Sequence, residues 1–283
     1  MTLEIKNLCK KYSNFNLTDI NLSIPKGMIV GLVGKNGAGK STIIKSIFDI
    51  VKRDSGEVNF YGQVLDANSK YLKNDIGVVF DTLSFNEMFT IKMIEKVLKD
   101  LYKNFDSELF HSYLDKYELP RDKKFNTFSR GMGMKLSIAI ALSHGAKLLV
   151  LDEATAGLDP VIREEILDTF LDFVANGENS ILVSSHISSD LERIADRIAF
   201  IDKGEIILTS DKDSLLYEYG IARVKEEDFN KFDKQDYIAW RKRGLQFEVL
   251  VKNKKQMLNN YPNIVIDNAK IDEILPILIK GDN

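Results

Sequence analysis

The chain has 283 residues, 44% hydrophobic and 29% charged, the balance of an ordinary soluble globular protein with one average domain and an appendage, or two modest domains. A net charge of −3 supplies no basic footprint, which argues against nucleic acid as the main partner. One cysteine, Cys9, excludes an internal disulfide and suits a reducing cytosol, and the sequence offers neither an apolar leader nor a stretch that crosses a bilayer alone.

Leu3, Ile5 and Leu8 nearly alternate, and Phe15, Leu17, Ile20, Leu22 and Ile24 continue the pattern across a slip that reads as a bulge. Tyr12 stands between these runs, where an aromatic is most often a core or edge residue. Pro25-Lys26-Gly27 turns the chain into Met28–Val33, an apolar run with the look of a buried strand. Next comes Gly34-Lys35-Asn36-Gly37-Ala38-Gly39-Lys40-Ser41-Thr42, and then Ile43, Ile44, Ile47, Phe48 and Val51 at helical spacing. The spacing G-x-x-x-x-G-K-[ST] between strand and helix is that of a loop whose backbone N–H groups wrap phosphates. Its glycines supply φ > 0, and the helix start adds unpaired donors and a positive dipole end. Lys40 is placed to reach β- and γ-phosphates and the Ser41 hydroxyl to face Mg²⁺. The chain therefore carries a nucleoside-triphosphate site.

Further on, Asp54-Ser55-Gly56 turns into Glu57–Phe60, and Ile76–Phe80 is a buried strand ending at Asp81. From about Thr90 to Tyr117 the apolar spacing is helical, an insertion ended by Pro120. Phe128-Ser129-Arg130-Gly131-Met132 precedes a largely apolar helix beginning near Met134. Lys147–Leu151 is a strand buried on both faces, and it runs into Asp152-Glu153. A helix follows Pro160, a strand spans Ser180–Ser184, His186 comes just after it, and a helix covers Ile187–Ala195. Ile198–Ile201 and Glu205–Leu208 form a hairpin. Strands alternating with helices predict a parallel sheet covered on both faces. From about residue 221 the pattern weakens to strands at Phe247–Val251 and Ile264–Ile266 and a helix over Ile271–Ile279 interrupted by Pro276, read as a small accessory α/β domain.

A Mg²⁺-dependent nucleotide hydrolase needs a second carboxylate for the metal's hydration shell, and Asp152, at the end of a buried strand, suits that role. Glu153 beside it is placed to orient or deprotonate the attacking water. His186, at another strand end, is a candidate to bond the γ-phosphate or to fix Glu153.

The ordered set Tyr12, Gly34–Thr42, Asp81, Phe128–Met132, Leu148–Glu153, Ala156-Gly157-Leu158-Asp159 and His186 resembles the nucleotide-binding subunits of ABC transporters over residues 1 to about 215. The resemblance implies a P-loop NTPase core with a mostly parallel sheet and an N-terminal antiparallel β-subdomain. A helical subdomain over about 84–145 and an accessory domain at 221–283 complete the expected layout. It implies ATP and Mg²⁺ as cofactors, with Ser41, Asp81 and Asp152 at the metal and Glu153 and His186 catalytic. Tyr12 would stack on adenine. Ser129 and Gly131 would bind the γ-phosphate held by the opposite subunit, and Asp159 would contact that subunit. The residues agree on one point: Ser129 follows a long helical insertion and has no obvious route to its own phosphate loop.

Two positions depart from the pattern. Asp81 stands where glutamine is usual, and Phe128-Ser129-Arg130-Gly131-Met132 stands where L-S-G-G-Q is usual. Arg130 either reaches phosphate oxygens or lies in solvent, and the residues leave both readings open. Both departures resemble variants of Gram-positive exporter ATPases that serve separate membrane chains and move antimicrobials, peptides or lipids, amphipathic peptide toxins among them. The expectation is a peripheral ATPase on the cytoplasmic face of the membrane, paired with a permease and a second ATPase subunit. An ATP-binding regulator with weak or no hydrolysis is the alternative. A DNA- or ribosome-directed relative is disfavoured, because no coiled coil fits between Thr42 and Phe128 and only one such domain is present.

Overall fold

The computed structural model describes residues 1–81 and 85–281. Residue 84, the expected start of the helical subdomain, and residues 282–283 of the expected accessory domain lie outside the described residues.

β1 (Leu3–Lys11) and β2 (Asn16–Ile24) pair antiparallel, with register slips between Ile5 and Leu8 and between Leu8 and Lys10. The first slip puts the extra residue in β1, where Asn7 takes a left-handed φ of 48°, and the second puts it in β2, where Asp19 does the same, a conformation that Asn and Asp tolerate. β3 (Ile29–Val33), buried at every position, leads through the glycine loop into α1 (Lys40–Ile47). β4 (Ser55–Phe60) and β5 (Gln63–Val64) join the first two strands in an antiparallel sheet ordered β2-β1-β4-β5. A short α2 (Lys70–Lys73) precedes β6 (Ile76–Val79).

The helical insertion is α3 (Ile91–Leu101), capped by Thr90, and α4 (Ser107–Lys116), capped by Asp106. Ile91, Ile94, Leu98, Phe110 and Leu114 are its buried stripe, packed on α5 (Arg130–Leu142) and the main core. That helix begins at Arg130 rather than near Met134, because Ser129 caps it and the first turn needs no apolar residue to form. β7 (Leu148–Asp152), α6 (Pro160–Val174), β8 (Ser180–Ser185), α7 (Ser188–Ile194), β9 (Arg197–Asp202) and β10 (Glu205–Asp211) complete the central layer. Its six strands run β10-β9-β3-β8-β7-β6, all parallel except the hairpin strand β10. With β3 in the middle, the C-terminal ends of β3, β6, β7 and β8 share one edge, where ligands bind in open α/β sheets.

Past α8 (Lys212–Tyr217) come β11 (Gly220–Val224), α9 (Glu226–Phe229), β12 (Ala239–Arg243), β13 (Gln246–Val251), α10 (Lys254–Asn260), β14 (Ile266–Asn268) and α11 (Ile271–Lys280). The strands form a third sheet, antiparallel and ordered β12-β13-β11-β14. α11 runs through Pro276 without interruption. The carbonyl that proline deprives of a donor belongs to Asp272, an exposed residue whose backbone water can reach. No helix of the described residues is long and apolar enough to cross a membrane.

Candidate nucleotide site

The glycine loop has little steric freedom. A Cβ at Gly34 would lie 2.5 Å from the Ile201 carbonyl oxygen, and one at Gly39 would lie 2.7 Å from Leu17 Cδ2 and 2.9 Å from Phe15 Cζ. Gly37 and Gly39 take φ of 81° and 116°, the left-handed backbone from which anion nests are built. α1 has no side-chain cap, so its first N–H groups are available to a ligand. Lys40, 5% exposed, opens that helix and donates through Nζ to the carbonyls of Gly34 (2.7 Å) and Lys35 (3.3 Å).

Asp152 ends β7, 1% exposed, and its Oδ1 accepts a hydrogen bond from Ser184 Oγ at 2.7 Å. Glu153 follows with a left-handed φ of 53°, its N–H donating to Ser184 Oγ (3.1 Å) and Ser184 O (3.2 Å). Ser184, on the neighbouring strand β8, thus fixes both members of the acidic pair. His186 meets Glu153 twice, with Nδ1 at 2.5 Å from Oε2 and its backbone N–H donating to the same oxygen at 3.4 Å. Lys40 Nζ lies 3.1 Å from Oε1, an ion-pair distance, yet off the hydrogen-bonding angle, so Oε1 is buried without accepting a hydrogen bond. Behind the pair, Thr155 donates to Asp190 on α7 (2.6 Å), and Arg163 of α6 donates to the same carboxylate (2.5 Å).

Lys40, Ser41, Thr42, Asp81, Glu153 and His186 line one cleft of about 740 Å³, together with Asn14, Phe15, Arg130 and Ala156. A second cleft of about 700 Å³ shares Asn14, Phe15, Lys35, Asn36 and Gly37 with the first and takes in Ala38. Tyr12 lines neither cleft. It is 45% exposed, with its ring centroid 6.5 Å from that of Phe15 and Lys10 Nζ 5.6 Å from its centroid. The aromatic side chain against the phosphate loop is Phe15, read from sequence only as a strand residue. Its one available signal was its place before β2, in the loop rather than the strand.

Ser129, Gly131 and Asp159 do not line the cleft of their own chain. Ser129 Oγ accepts from Met132 N–H (3.2 Å) as the cap of α5. Gly131 is buried, and a Cβ there would lie 2.8 Å from Ile162 Cδ1. Asp159 Oδ1 caps α6, accepting from the N–H groups of Val161 (3.1 Å) and Ile162 (3.0 Å). Among the described residues, no group of three or more His, Cys, Asp or Glu side chains could hold a metal ion. The oxygens at hand are Ser41 and Asp81 in the cleft and Asp152 next to Glu153. Such a sparse, all-oxygen set suits Mg²⁺, which keeps much of its shell as water and phosphate oxygen.

A phosphate loop after a central parallel strand, an Asp-Glu pair on a second strand and a histidine after a third define a P-loop nucleotide hydrolase. The ABC transporter family model matches residues 17–156. The ABC transporter ATP-binding protein YtrB of Bacillus subtilis is 34% identical over 77% of this chain and 74% of its own. The lantibiotic transport ATP-binding protein SrtF of Streptococcus pyogenes is 37% identical over 75% of this chain and 91% of its own. Among solved structures, that of the dimeric MJ0796, a bacterial ABC transporter cassette, superposes with a TM-score of 0.67 and 25% identity, covering 74% of this chain and 98% of that one. The chain belongs to the ABC transporter ATP-binding family and is one of its ATPase cassettes.

Proposed function

We propose that this chain is the ATP-hydrolysing subunit of an exporter, peripheral on the cytoplasmic face of the membrane and acting through a separate membrane-embedded permease. The observation that carries the reading is Glu153, held by Ser184 and His186 and ion-paired with Lys40 in the cleft that the glycine loop lines. The loop and α1 bind the phosphates, with Lys40 exchanging its carbonyl partners for phosphate oxygens. Ser41, Asp81 and Asp152 would hold Mg²⁺, which neutralises phosphate charge when bound. Glu153 orients the attacking water through Oε1 and takes its proton, while His186 fixes the opposite oxygen. Asp81 places a second negative charge beside the phosphates and makes the metal requirement stricter.

Two copies would enclose nucleotide between the loop of one and the Ser129–Gly131 turn of the other, where α5 offers its N-terminus, with Asp159 at the contact. The dimeric cassette it superposes on supports this arrangement. Similarity to a lantibiotic transport protein favours antimicrobial compounds, peptides or lipids as cargo, including amphipathic peptide toxins.

Replacing Glu153 with Gln tests the assignment. Turnover is expected to fall about 10²–10⁴-fold with ATP binding retained, whereas Lys40→Ala weakens binding itself. Full turnover in Glu153→Gln removes this residue from the water-activating role. Extraction from membranes should bring down a polytopic protein, identified by mass spectrometry, that stimulates the ATPase.

A further inference from the structure

We propose that Asp190 is a positioning residue for hydrolysis: it acts through the Thr155 hydroxyl to hold Glu153 in the backbone conformation that aims its carboxylate into the cleft. This rests on the water-activating role given to Glu153 above. Among the described residues three carboxylates are buried: Asp152 in the nucleotide site, Glu248 in the third sheet, and Asp190. Asp190 is 2% exposed and lines neither cleft at the glycine loop. A buried carboxylate is costly unless it is charge-paired and hydrogen-bonded. Both partners of this one lie on the stretch of chain that leaves Glu153. Its Oδ2 accepts from Thr155 Oγ1 at 2.6 Å, and its Oδ1 accepts from Arg163 Nε at 2.5 Å. Arg163 Nη2 also donates to Ser189 Oγ at 2.8 Å, so α7 grips both the turn after β7 and the first turns of α6.

Glu153 needs such a hold. A left-handed φ of 53° is a strained conformation for glutamate and persists only where its surroundings impose it. On the side of β7 they do, since its N–H donates to both oxygens of Ser184. On the far side its carbonyl accepts from the Ala156 N–H at 3.0 Å, within the turn itself. Between Glu153 and Asp159 the chain reads Ala154-Thr155-Ala156-Gly157-Leu158, in which Thr155 carries the one polar side chain. Its buried hydroxyl is therefore the one side-chain handle by which a neighbouring element can hold the turn through a hydrogen bond. The segment from β8 into α7 thus meets this turn twice, His186 at the Glu153 carboxylate and Asp190 at Thr155. A small displacement of a group that orients a reacting water slows chemistry while leaving nucleotide affinity intact.

The experiment is ATP turnover of the full chain with Mg²⁺, with the melting temperature of each variant measured alongside. Thr155→Val keeps the shape of the side chain and loses its hydroxyl, whereas Thr155→Ser keeps the hydroxyl and loses a methyl. Valine is expected to lower kcat about tenfold with KM for ATP within about twofold, and serine to stay within about twofold of wild type in both. A position that only packs would rank the two the other way. Asp190→Ala should lower kcat at least as far, and adding Thr155→Val to it should lower kcat no further, because both remove one contact. The Thr155 pair decides the matter even where Asp190→Ala, which strips Arg163 of its counter-charge, does not fold. Adding Thr155→Val to Glu153→Gln should also leave single-turnover hydrolysis unchanged, the aimed carboxylate being already gone. Wild-type kcat in Thr155→Val, a serine variant as slow as the valine one, or an undiminished tenfold loss in the Glu153→Gln background overturns the proposal. Full turnover in Glu153→Gln alone would overturn the role of Glu153 as well, whereas the preceding outcomes overturn only the part given to Asp190.

Discussion

Phe15 and Ser184, which stand beside the candidate site, were not legible in the sequence as its members, whereas Lys40, Asp152 and Glu153 were read as candidates. The difference lies in how far along the chain their partners stand. The glycine loop is contiguous, and its chemistry can be read from spacing alone. Phe15 reaches the loop only because β2 pairs with β1 in a particular register, and Ser184 meets Asp152 only because β8 lies beside β7, 32 residues away in sequence. Two measurements check these assignments. A base stacked on an aromatic ring gains about 1–3 kcal/mol. Phe15→Ala should therefore lower ATP affinity about tenfold by calorimetry, and Tyr12→Ala, which removes a ring outside both clefts, should lower it less. The reverse order would make Tyr12 the adenine platform. Ser184→Ala removes the hydroxyl that orients Asp152, and outer partners of metal-binding carboxylates are worth about 10–100-fold. The Mg²⁺ concentration giving half-maximal turnover should rise by about that factor; an unchanged Mg²⁺ titration would place Asp152 outside the metal's reach.

At the scale of elements, helices and parallel strands of the cassette announce themselves by spacing, as does β13 at Phe247–Val251, while two strands of the third sheet hide. β12, Ala239-Trp240-Arg241-Lys242-Arg243, carries no apolar alternation, because it is an edge strand and edges are commonly protected by charge. β11 is nearly all buried and too short to show a period. What joins these strands is Glu248 of β13, 5% exposed, directly opposite Arg241 on one side and Arg223 on the other. Burial pushes its carboxyl up, but the hydrogen bond from Arg241 and the charges of Arg241 and Arg243 outweigh it and hold the group below its ordinary 4.5. A carboxyl depressed in the fold contributes stability above its unfolded pKa and loses it as pH falls through the folded one. Glu248→Gln should thus destabilise the protein at pH 7 by about 1–3 kcal/mol, less than a fully buried pair because its arginines are partly solvated. The gap in melting temperature should close below the carboxyl's folded pKa, under pH 4.5. An equal gap at pH 7 and at pH 3 would mean that the charge is not what Glu248 contributes.

For the whole molecule, the question is whether the third sheet is a separable body. Its two faces differ. One carries a cluster of aromatic rings, Phe229, Phe232, Trp240, Phe247 and Tyr261, packed on Val249, Val251 and Met257. The other places Ile221, Ala239 and Leu250 against α11, whose Ile271, Ile274 and Ile277 belong to the same continuous core as Leu191, Ile194 and Ala195 of the cassette. The N–H of Ile271 also donates to Glu192 at 3.1 Å. Burying an aliphatic side chain of this size contributes about 1.5–3 kcal/mol, so cutting the chain after Tyr219 strips several such contributions from α7 and its neighbours. No residue lining the first cleft lies beyond His186. The shortened chain should therefore still bind ATP at low temperature, yet melt at least about 5 °C below the full chain, which itself should unfold in one calorimetric transition. A full chain with two transitions, or a shortened one with an unchanged melting temperature, would make the third sheet an independent domain. The shared core on α7 would then be a contact of convenience rather than part of what holds His186, two residues before that helix, in place.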